Sequence, residues 1–224
     1  MSRVPSRGVL FVTGTDTGVG KTWVGCGLVR ALRGAGRTIV VRKPAESGCD
    51  ERRGILFPAD AALLRAAAES EEPLDRICPV RLAEPLAPAV AAARAGIVID
   101  PGGIAREIVE RSAEVDVVLV EGAGGLLVPL WGRYLYADLA RDLGACVLVV
   151  VGARLGAINH ALLTLEVAAA RGLSVGGLII NHLQPAEDGA SRTLESSLRE
   201  LAPAPVLASV PHGKDPCPIL QAAI

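Results

Sequence analysis

The chain has 224 residues, half of them apolar, and its 23 basic and 24 acidic residues leave a net charge of −1. A chain of this length can bury one sizeable core but not two typical ones, so we expect a single domain spanning residues 1–224. The balanced charge argues against nucleic acid or an anionic membrane as a partner, and each uninterrupted apolar run is shorter than the roughly 20 residues of a membrane-spanning helix.

Short β-branched runs alternate with amphipathic segments rich in Ala, Leu and Arg, a pattern typical of βαβ units around a parallel sheet. The predicted strands are 9–13, 38–42, 115–120, 146–151, 175–180 and 206–208. The predicted helices are 21–33, 58–69, 103–111, 136–143, 159–170 and 189–201. Residues 86–95 also favour a helix, beside a proline-rich stretch (73–88) that interrupts the alternation. The pattern predicts an α/β fold with a mostly parallel sheet flanked by helices.

The cysteines bear on the compartment in which the chain works. The five are odd in number, scattered and free of any C-x-x-C pair, which argues against a disulfide framework or a zinc site. The N-terminal stretch 1–8 carries no hydrophobic signal-peptide core. We therefore expect a cytoplasmic protein that acts on small molecules.

The first predicted strand leads into a glycine-rich turn and the start of a helix. Residues 9–22 read V-L-F-V-T-G-T-D-T-G-V-G-K-T, an arrangement that directs backbone N–H groups and a helix dipole at phosphates. Lys21 is expected to contact the β- and γ-phosphates of a nucleotide, and Thr22 to bind Mg²⁺. Thr15 replaces the first glycine of the standard G-x-x-x-x-G-K-[ST] motif, which makes this loop one residue longer. We predict a P-loop NTPase fold, because a simple turn would not explain Gly-Lys-Thr at this position.

Position 16 separates groups of P-loop proteins. Cytoskeletal and partitioning ATPases with this loop ending carry a second lysine five residues before the first, where this chain has Asp16. The string G-T-D-T-G-V-G-K-T instead resembles the dethiobiotin synthetases. The resemblance implies an ATP-dependent ligase with these further residues at the nucleotide: Thr17 in a catalytic role, and Gly18, Val19, Gly20 and Trp23 in binding.

Lysine is scarce, since only Lys21, Lys43 and Lys214 occur among the 23 basic residues. A retained lysine suggests a need for a compact ammonium group, although an arginine-rich codon bias would also explain the scarcity. Lys43 follows the second predicted strand in R-K-P-A-E-S-G, at the strand end that faces the ligand crevice in open α/β sheets. The less favoured alternative is an exposed loop residue. The similar family motif K-P-x-x-[ST]-G implies that Lys43 contacts the reacting carbamate and phosphate oxygens and that Ser47 binds a diamine.

Two acidic residues are candidate metal ligands. Asp60 begins a predicted helix, where sequence context alone favours a capping or dipole role. The family's S-D-A motif implies a Mg²⁺ ligand instead, although Ala59 replaces its serine. Glu121 ends an apolar strand before a glycine turn, the Walker-B arrangement that holds Mg²⁺. The family motif V-E-G-A-G-G also implies that residues of the turn line the nucleotide site: Gly122, Ala123 and Gly124.

The last motifs follow the fourth and fifth predicted strands. Free N–H groups at the helix start in L-G-A-I-N-H (155–160) suit a carboxylate, and the similar family segment implies that Gly156 and Asn159 bind the substrate carboxylate of the neighbouring subunit in a homodimer. His160 is more readily a packing or capping residue. Asn181 offers an amide suited to the N6 and N7 edge of adenine. The resemblance implies a base-binding role for it, with His182 beside it and Pro211 in the loop that covers the base.

The resemblance extends over residues 11–211 and implies a complete reaction. Dethiobiotin would form from 7,8-diaminononanoate, CO₂ and ATP with Mg²⁺, through a carbamate and a carbamic-phosphoric anhydride. Two alternatives stay open. One is an amidating ligase of the cobyrinate diamide type, which usually carries a glutaminase domain that is not visible here. The other is a P-loop ATPase of the partitioning or maturation-factor type that acts through a protein partner, which Asp16 disfavours.

Overall fold

A six-stranded parallel sheet lies at the centre of the molecule. The computed structural model describes residues 4–185 and 189–223, so the first three residues of the N-terminal stretch considered for a signal peptide lie outside it. The strands of this part of the chain are β1 (Gly8–Gly14), β2 (Ile39–Arg42), β3 (Ala45–Ser47), β4 (Asp50–Arg52), β5 (Ile55–Phe57), β6 (Val80–Leu82), β7 (Val117–Glu121), β8 (Pro129–Trp131), β9 (Tyr134–Leu135), β10 (Cys146–Gly152), β11 (Ser174–Asn181) and β12 (Val206–Val210). The central sheet has the order β12-β11-β10-β1-β7-β2.

All six predicted strands are the strands of this sheet, and every neighbouring pair is parallel. Successive residues of β1 face opposite sides, because side chains alternate along a strand. Val9 and Phe11 belong to the apolar cluster on one face, and Leu10 and Val12 to the cluster on the other. A strand that is apolar at each position is therefore buried on both sides, as the sequence predicted.

Helices cover both faces of the sheet. In the described residues they are α1 (Lys21–Gly34), α2 (Ala59–Ala67), α3 (Leu74–Ile77), α4 (Pro88–Ala95), α5 (Pro101–Ser112), α6 (Tyr136–Asp142), α7 (Ala157–Ala170), α8 (Gly189–Leu201) and α9 (Pro216–Gln221). The seven predicted helices are confirmed, with ends displaced by one or two residues. Helix α4 begins at Pro88 and not at 86, because proline is well tolerated at a first helical position. Within the described ranges, no helix is long and apolar enough to cross a membrane.

The elements that the sequence did not predict are short. Strand β3 pairs in parallel with β6, while β4 and β5 form one antiparallel hairpin and β8 and β9 another. Strands of two or three residues carry no readable periodicity, and the pairing of β3 with β6 joins segments far apart in sequence. The proline-rich stretch thus contributes α3 and β6, which form a small layer beside the edge strand β2.

Candidate active site

A cleft of about 660 Å³ opens at the carboxyl end of the central sheet. It lies where β1, β2 and β7 end, which is the usual ligand position in open α/β sheets. Ten of the predicted site residues line it, namely Thr17, Gly18, Gly20, Lys21, Thr22, Lys43, Ser47, Asp60, Ala123 and Gly124. The structure therefore brings together motifs that are dispersed over positions 17 to 124 of the sequence.

The phosphate loop joins β1 to α1 and is held by contacts across the sheet. Gly20 adopts a left-handed conformation (φ 86°) directly before the first residue of α1. The Asn181 side-chain amide donates a hydrogen bond to the Val19 carbonyl at 3.0 Å. A Cβ atom on Gly20 would lie 2.1 Å from the Asn181 Nδ2 atom, so only glycine fits there. The amide predicted to contact adenine thus also fixes the shape of the loop.

Lys21 is buried at the mouth of this loop. Its ammonium group donates to the Asp16 carbonyl at 3.3 Å, while its side chain lines the cleft. Burial, together with the nearby positive charge of Lys43, lowers the pKa of Lys21 from its ordinary value. Two ammonium groups that line one cleft favour the binding of anionic oxygens, such as those of a polyphosphate.

Lys43 connects the two acidic residues predicted to bind metal. Its Nζ atom donates to Glu121 Oε1 at 2.5 Å and to Asp60 Oδ2 at 3.2 Å. Only 3% of Lys43 is exposed, so the alternative of an exposed loop lysine is wrong. Burial alone would lower the pKa of Lys43, but the carboxylates of Glu121 and Asp60 outweigh it and raise that pKa above its ordinary value.

Three oxygen-bearing side chains form a set suited to a hard divalent cation. The Thr22 hydroxyl donates to Glu121 Oε1 at 2.9 Å. The Asp60 and Glu121 carboxylates both accept hydrogen bonds from the Lys43 ammonium group. Glu121 is fully buried, and its Oε2 atom has no hydrogen-bond partner among the residues that the structure describes. One or two carboxylates completed by phosphate oxygens and water are the usual protein environment of Mg²⁺. The donor set thus fits Mg²⁺ bound together with a nucleotide.

The capping role considered for Asp60 is wrong, because another residue fulfils it. Glu46 accepts hydrogen bonds from the backbone N–H groups of Asp60 and Ala61, at 2.9 and 3.0 Å. The side chain of Asp60 is directed to Lys43 instead. Glu46 lines the cleft and was not recognised in the sequence. Its position beside Ser47 in the K-P-A-E-S-G motif was the available signal, but a cap supplied from a distant strand leaves no local pattern.

Ser47 ends the short strand β3 and lies on the wall of the cleft. Pairing with β6 fixes that strand, since Ser47 is opposite Leu82. The neighbouring part of the wall is Pro85–Pro88, at the end of the proline-rich stretch. That stretch, for which the sequence suggested no role, therefore forms part of the site. Its apolar side chains suit the hydrocarbon part of a small substrate.

The glycine turn after β7 brings the backbone close to the phosphate loop. A Cβ atom on Gly122 would lie 3.2 Å from the Phe11 ring, and Gly124 has a left-handed φ of 63°. The Gly14 N–H group donates to the Gly124 carbonyl at 3.2 Å. A side chain at Gly122 would press on the Phe11 ring and one at Gly124 would meet Val128 at 2.8 Å, so both positions favour glycine.

The remaining predicted residues lie outside the lining of the cleft. Gly156 and Asn159 are exposed at the start of α7, where Gly156 has a left-handed φ of 89°. Pro211 is exposed directly after β12, and Trp23 is about half exposed at 47% on the first turn of α1. His182 contacts the Ser209 hydroxyl at 3.1 Å. The roles that the resemblance implied for these residues stay predictions.

Known proteins match this chain over a range of residues that includes the whole cleft. A family model described as an AAA domain matches residues 8–216. The ATP-dependent dethiobiotin synthetase BioD of Aromatoleum aromaticum is 48% identical over 211 residues, which are 93% of each chain. The protein of the same name from Anaeromyxobacter sp. (strain K) is 49% identical over 179 residues, 80% of this chain and 78% of that one.

A solved structure supports the fold independently. A chain of the MinC:MinD cell division protein complex of Aquifex aeolicus has a TM-score of 0.58, and the match covers 91% of this chain and 81% of that chain. The two are 17% identical in sequence. At this identity the likeness extends to the fold alone, an α/β architecture with a parallel central sheet.

Proposed function

The chain belongs to the dethiobiotin synthetase family and is an ATP-dependent ligase of biotin biosynthesis, and we propose that the cleft joins CO₂ to 7,8-diaminononanoate and closes the ureido ring. The observation that carries this proposal is the position of Lys43, buried between the phosphate loop, two carboxylates and the Ser47 wall. The partner-dependent ATPase alternative is not favoured, since the relatives with high identity are ligases.

The phosphate loop would bind the nucleotide. The backbone N–H groups at the start of α1 and the Lys21 ammonium group supply the donors that a triphosphate requires. Thr22, Asp60 and Glu121 would hold Mg²⁺, which when bound neutralises charge on the phosphates. The amide of Asn181 already holds Val19 in place, and its carbonyl oxygen could accept a hydrogen bond from the N6 amine of adenine.

The reaction then needs orientation and charge stabilisation more than a protein nucleophile. An amine of the diamine adds to CO₂ and loses a proton to give a carbamate. A carbamate oxygen attacks the γ-phosphorus, and the bond to ADP breaks, which leaves a carbamic-phosphoric anhydride. The second amine attacks the carbonyl carbon and expels phosphate. Lys43 and Lys21 are placed to stabilise the negative charge that develops on the transferred phosphoryl group.

The first test is phosphate release from Mg-ATP by the purified chain, with and without 7,8-diaminononanoate and bicarbonate. Release is expected only when both are present, and mass spectrometry should find a product that has gained one carbonyl group and lost two hydrogens. Turnover of ATP that is indifferent to the diamine would refute the ligase assignment of the cleft.

We also propose that the enzyme is a homodimer in which the start of α7 binds the substrate carboxylate in the neighbouring subunit's cleft. Gly156 and Asn159 are exposed and lie outside their own cleft, and two exposed leucines flank them: Leu155 at 85% and Leu163 at 56%. Exposed apolar side chains on α7 and just before it are suited to a subunit interface. The predictions of a single domain and a cytoplasmic location stay predictions.

Complementation of two inactive variants tests the shared site. Lys43→Ala removes the reaction centre of its own subunit, while Asn159→Asp places a negative charge against the partner's substrate. Mixed dimers would contain one intact site each, so an equal mixture should regain about a quarter of wild-type turnover if the subunits exchange freely. No recovery in dimers shown to be mixed would contradict the shared site.

A further inference from the structure

Glu46 is a buried carboxylate on the wall of the cleft that none of the sequence motifs explains. Only 7% of the residue is exposed, and both of its oxygens accept backbone hydrogen bonds from α2. Asp60 and Ala61, the donors of these bonds, are the second and third residues of that helix. The first N–H groups of a helix have no partner within it, so Glu46 acts as a cap supplied by a strand.

Burial of the Glu46 carboxylate costs free energy, which indicates a role for this residue beyond helix capping. Burial raises the pKa of Glu46, and the two N–H groups of α2 oppose this rise while the nearby Asp60 carboxylate adds to it. A local cap at Pro58 or Ala59, of the Ser or Asp type, would satisfy the helix without a buried charge. The chain nevertheless places a second carboxylate beside Asp60.

The cap that Glu46 provides determines the direction in which the Asp60 side chain points. An aspartate near a helix start is drawn to unpaired N–H groups of its own first turn. Because Glu46 occupies these groups, the Asp60 carboxylate is free to face the cleft, where its Oδ2 atom accepts from Lys43 at 3.2 Å. Without Glu46, the same carboxylate would compete for its own helix start and turn away from Lys43.

We propose that Glu46 is a positioning residue for metal binding: by capping α2 it keeps the Asp60 carboxylate directed at Lys43 and available to Mg²⁺. The inference rests on the proposed function for the identity of the metal site. Ser47, the next residue on β3, also lines the cleft. Glu46 thus connects the strand that carries the substrate-binding serine to the helix that carries the metal ligand.

The test is Mn²⁺ binding to the complex of the protein with ADP, followed by electron paramagnetic resonance, alongside the Mg²⁺ concentration that gives half-maximal turnover. Glu46→Ala is expected to weaken Mn²⁺ binding and to raise that Mg²⁺ concentration by about tenfold or more, as for other residues that orient a metal ligand. Glu46→Gln keeps one acceptor oxygen and should have an intermediate effect. This variant also keeps the proposal testable if Glu46→Ala does not fold.

Asp215→Ala is the matched control. Asp215 caps α9 by accepting from the Cys217 N–H group at 3.0 Å, outside the lining of the cleft. Its loss, which also removes the exposed ion pair of Asp215 with Arg30 on α1, should lower thermal stability while Mn²⁺ binding stays within about twofold, because neither contact orients a metal ligand. If Asp215→Ala and Glu46→Ala weakened Mn²⁺ binding equally, the specific role of Glu46 would be refuted.

A double variant separates positioning from a direct role. In an Asp60→Ala background, Glu46→Ala should cause no further loss of Mn²⁺ binding, because Glu46 acts through Asp60. An additional loss there, or normal binding in folded Glu46→Ala and Glu46→Gln, would overturn the proposal. The Mn²⁺ measurement needs no diamine, so it remains decisive even if the wild-type chain shows no diamine-dependent turnover, which would instead refute the proposed function.

Discussion

The two walls of the cleft are built in different ways. The phosphate wall consists of two turns that directly follow the central strands β1 and β7, and each turn is contiguous in sequence. The substrate wall is assembled from β3 and from Pro85–Pro88, which lie outside the main sheet. Binding of phosphates requires several N–H groups close together, and consecutive residues of one loop provide them most simply. A pocket for a carbon chain requires only apolar side chains, which separate segments of the chain can contribute.

Different contacts hold the two walls in place. The turns of the phosphate wall are held by two bonds, from Asn181 at the end of β11 to Val19 and from Gly14 at the end of β1 to Gly124. The substrate wall is held by its own short pairing and by backbone bonds such as Gly48 N–H to the Glu84 carbonyl at 3.2 Å. We therefore expect variants of one wall to affect ATP and variants of the other to affect the diamine.

The largest effect is expected at Lys43, where the two walls meet. Lys43→Ala should lower turnover by at least about a hundredfold, the scale for removal of a key electrostatic donor. It should also lower the free energy of unfolding by about 3 kcal/mol, because the fully buried Glu121 loses its cation. Phosphate release and urea unfolding measure the two losses.

A second substitution separates the two consequences of losing Lys43. Addition of Glu121→Gln removes the unpaired buried charge and should restore part of the stability without restoring turnover. Near-normal turnover in Lys43→Ala would remove this residue from the mechanism.

The next effect is expected on the phosphate wall. Gly20→Ala should raise the KM for ATP at least about tenfold, since a left-handed alanine costs about 1–2 kcal/mol and its Cβ atom would also displace the Asn181 amide. Gly18→Ala is the matched control, because Gly18 is also left-handed (φ 73°) but its Cβ atom would meet nothing within 4 Å. Equal effects of the two variants would show that the Asn181 contact is unimportant.

A smaller and more selective effect is expected on the substrate wall. Ser47→Ala should raise the KM for the diamine about fivefold, as for the loss of one neutral hydrogen bond, and leave the KM for ATP unchanged. Ser112→Ala, which removes an exposed hydroxyl bonded to the Val109 carbonyl on α5, should change neither constant. A change in the KM for ATP with Ser47→Ala would argue that the two walls are not independent.

The smallest effect is expected on the β4–β5 hairpin, which extends from the substrate wall. Ile55→Ser should change the free energy of unfolding by less than about 0.5 kcal/mol, because Ile55 is 64% exposed. Ile180→Val, at a fully buried position of β11, should cost about 1 kcal/mol by the same urea titration. A larger loss at Ile55 would indicate that the hairpin contributes to the core or to a subunit contact.

The six strands of the central sheet could be predicted because each is a short apolar, β-branched run, and the seven longer helices because each has its own apolar periodicity. The phosphate loop could be predicted for a similar reason, since strand, glycines and Lys21 follow one another directly. Lys43 and Glu121 could be recognised as strand-end residues, but their hydrogen bond could not, because 78 positions separate them.

The sequence by itself determined the α/β fold, the phosphate loop and the family, because these depend on local patterns and contiguous motifs. The tertiary structure alone decided which residue caps α2, that Asn181 holds the phosphate loop, and that the proline-rich stretch forms a wall of the cleft. Each of these contacts joins segments that are distant along the chain. Their partners are selected by how strands and helices pack in space, and no local pattern of side chains encodes that choice.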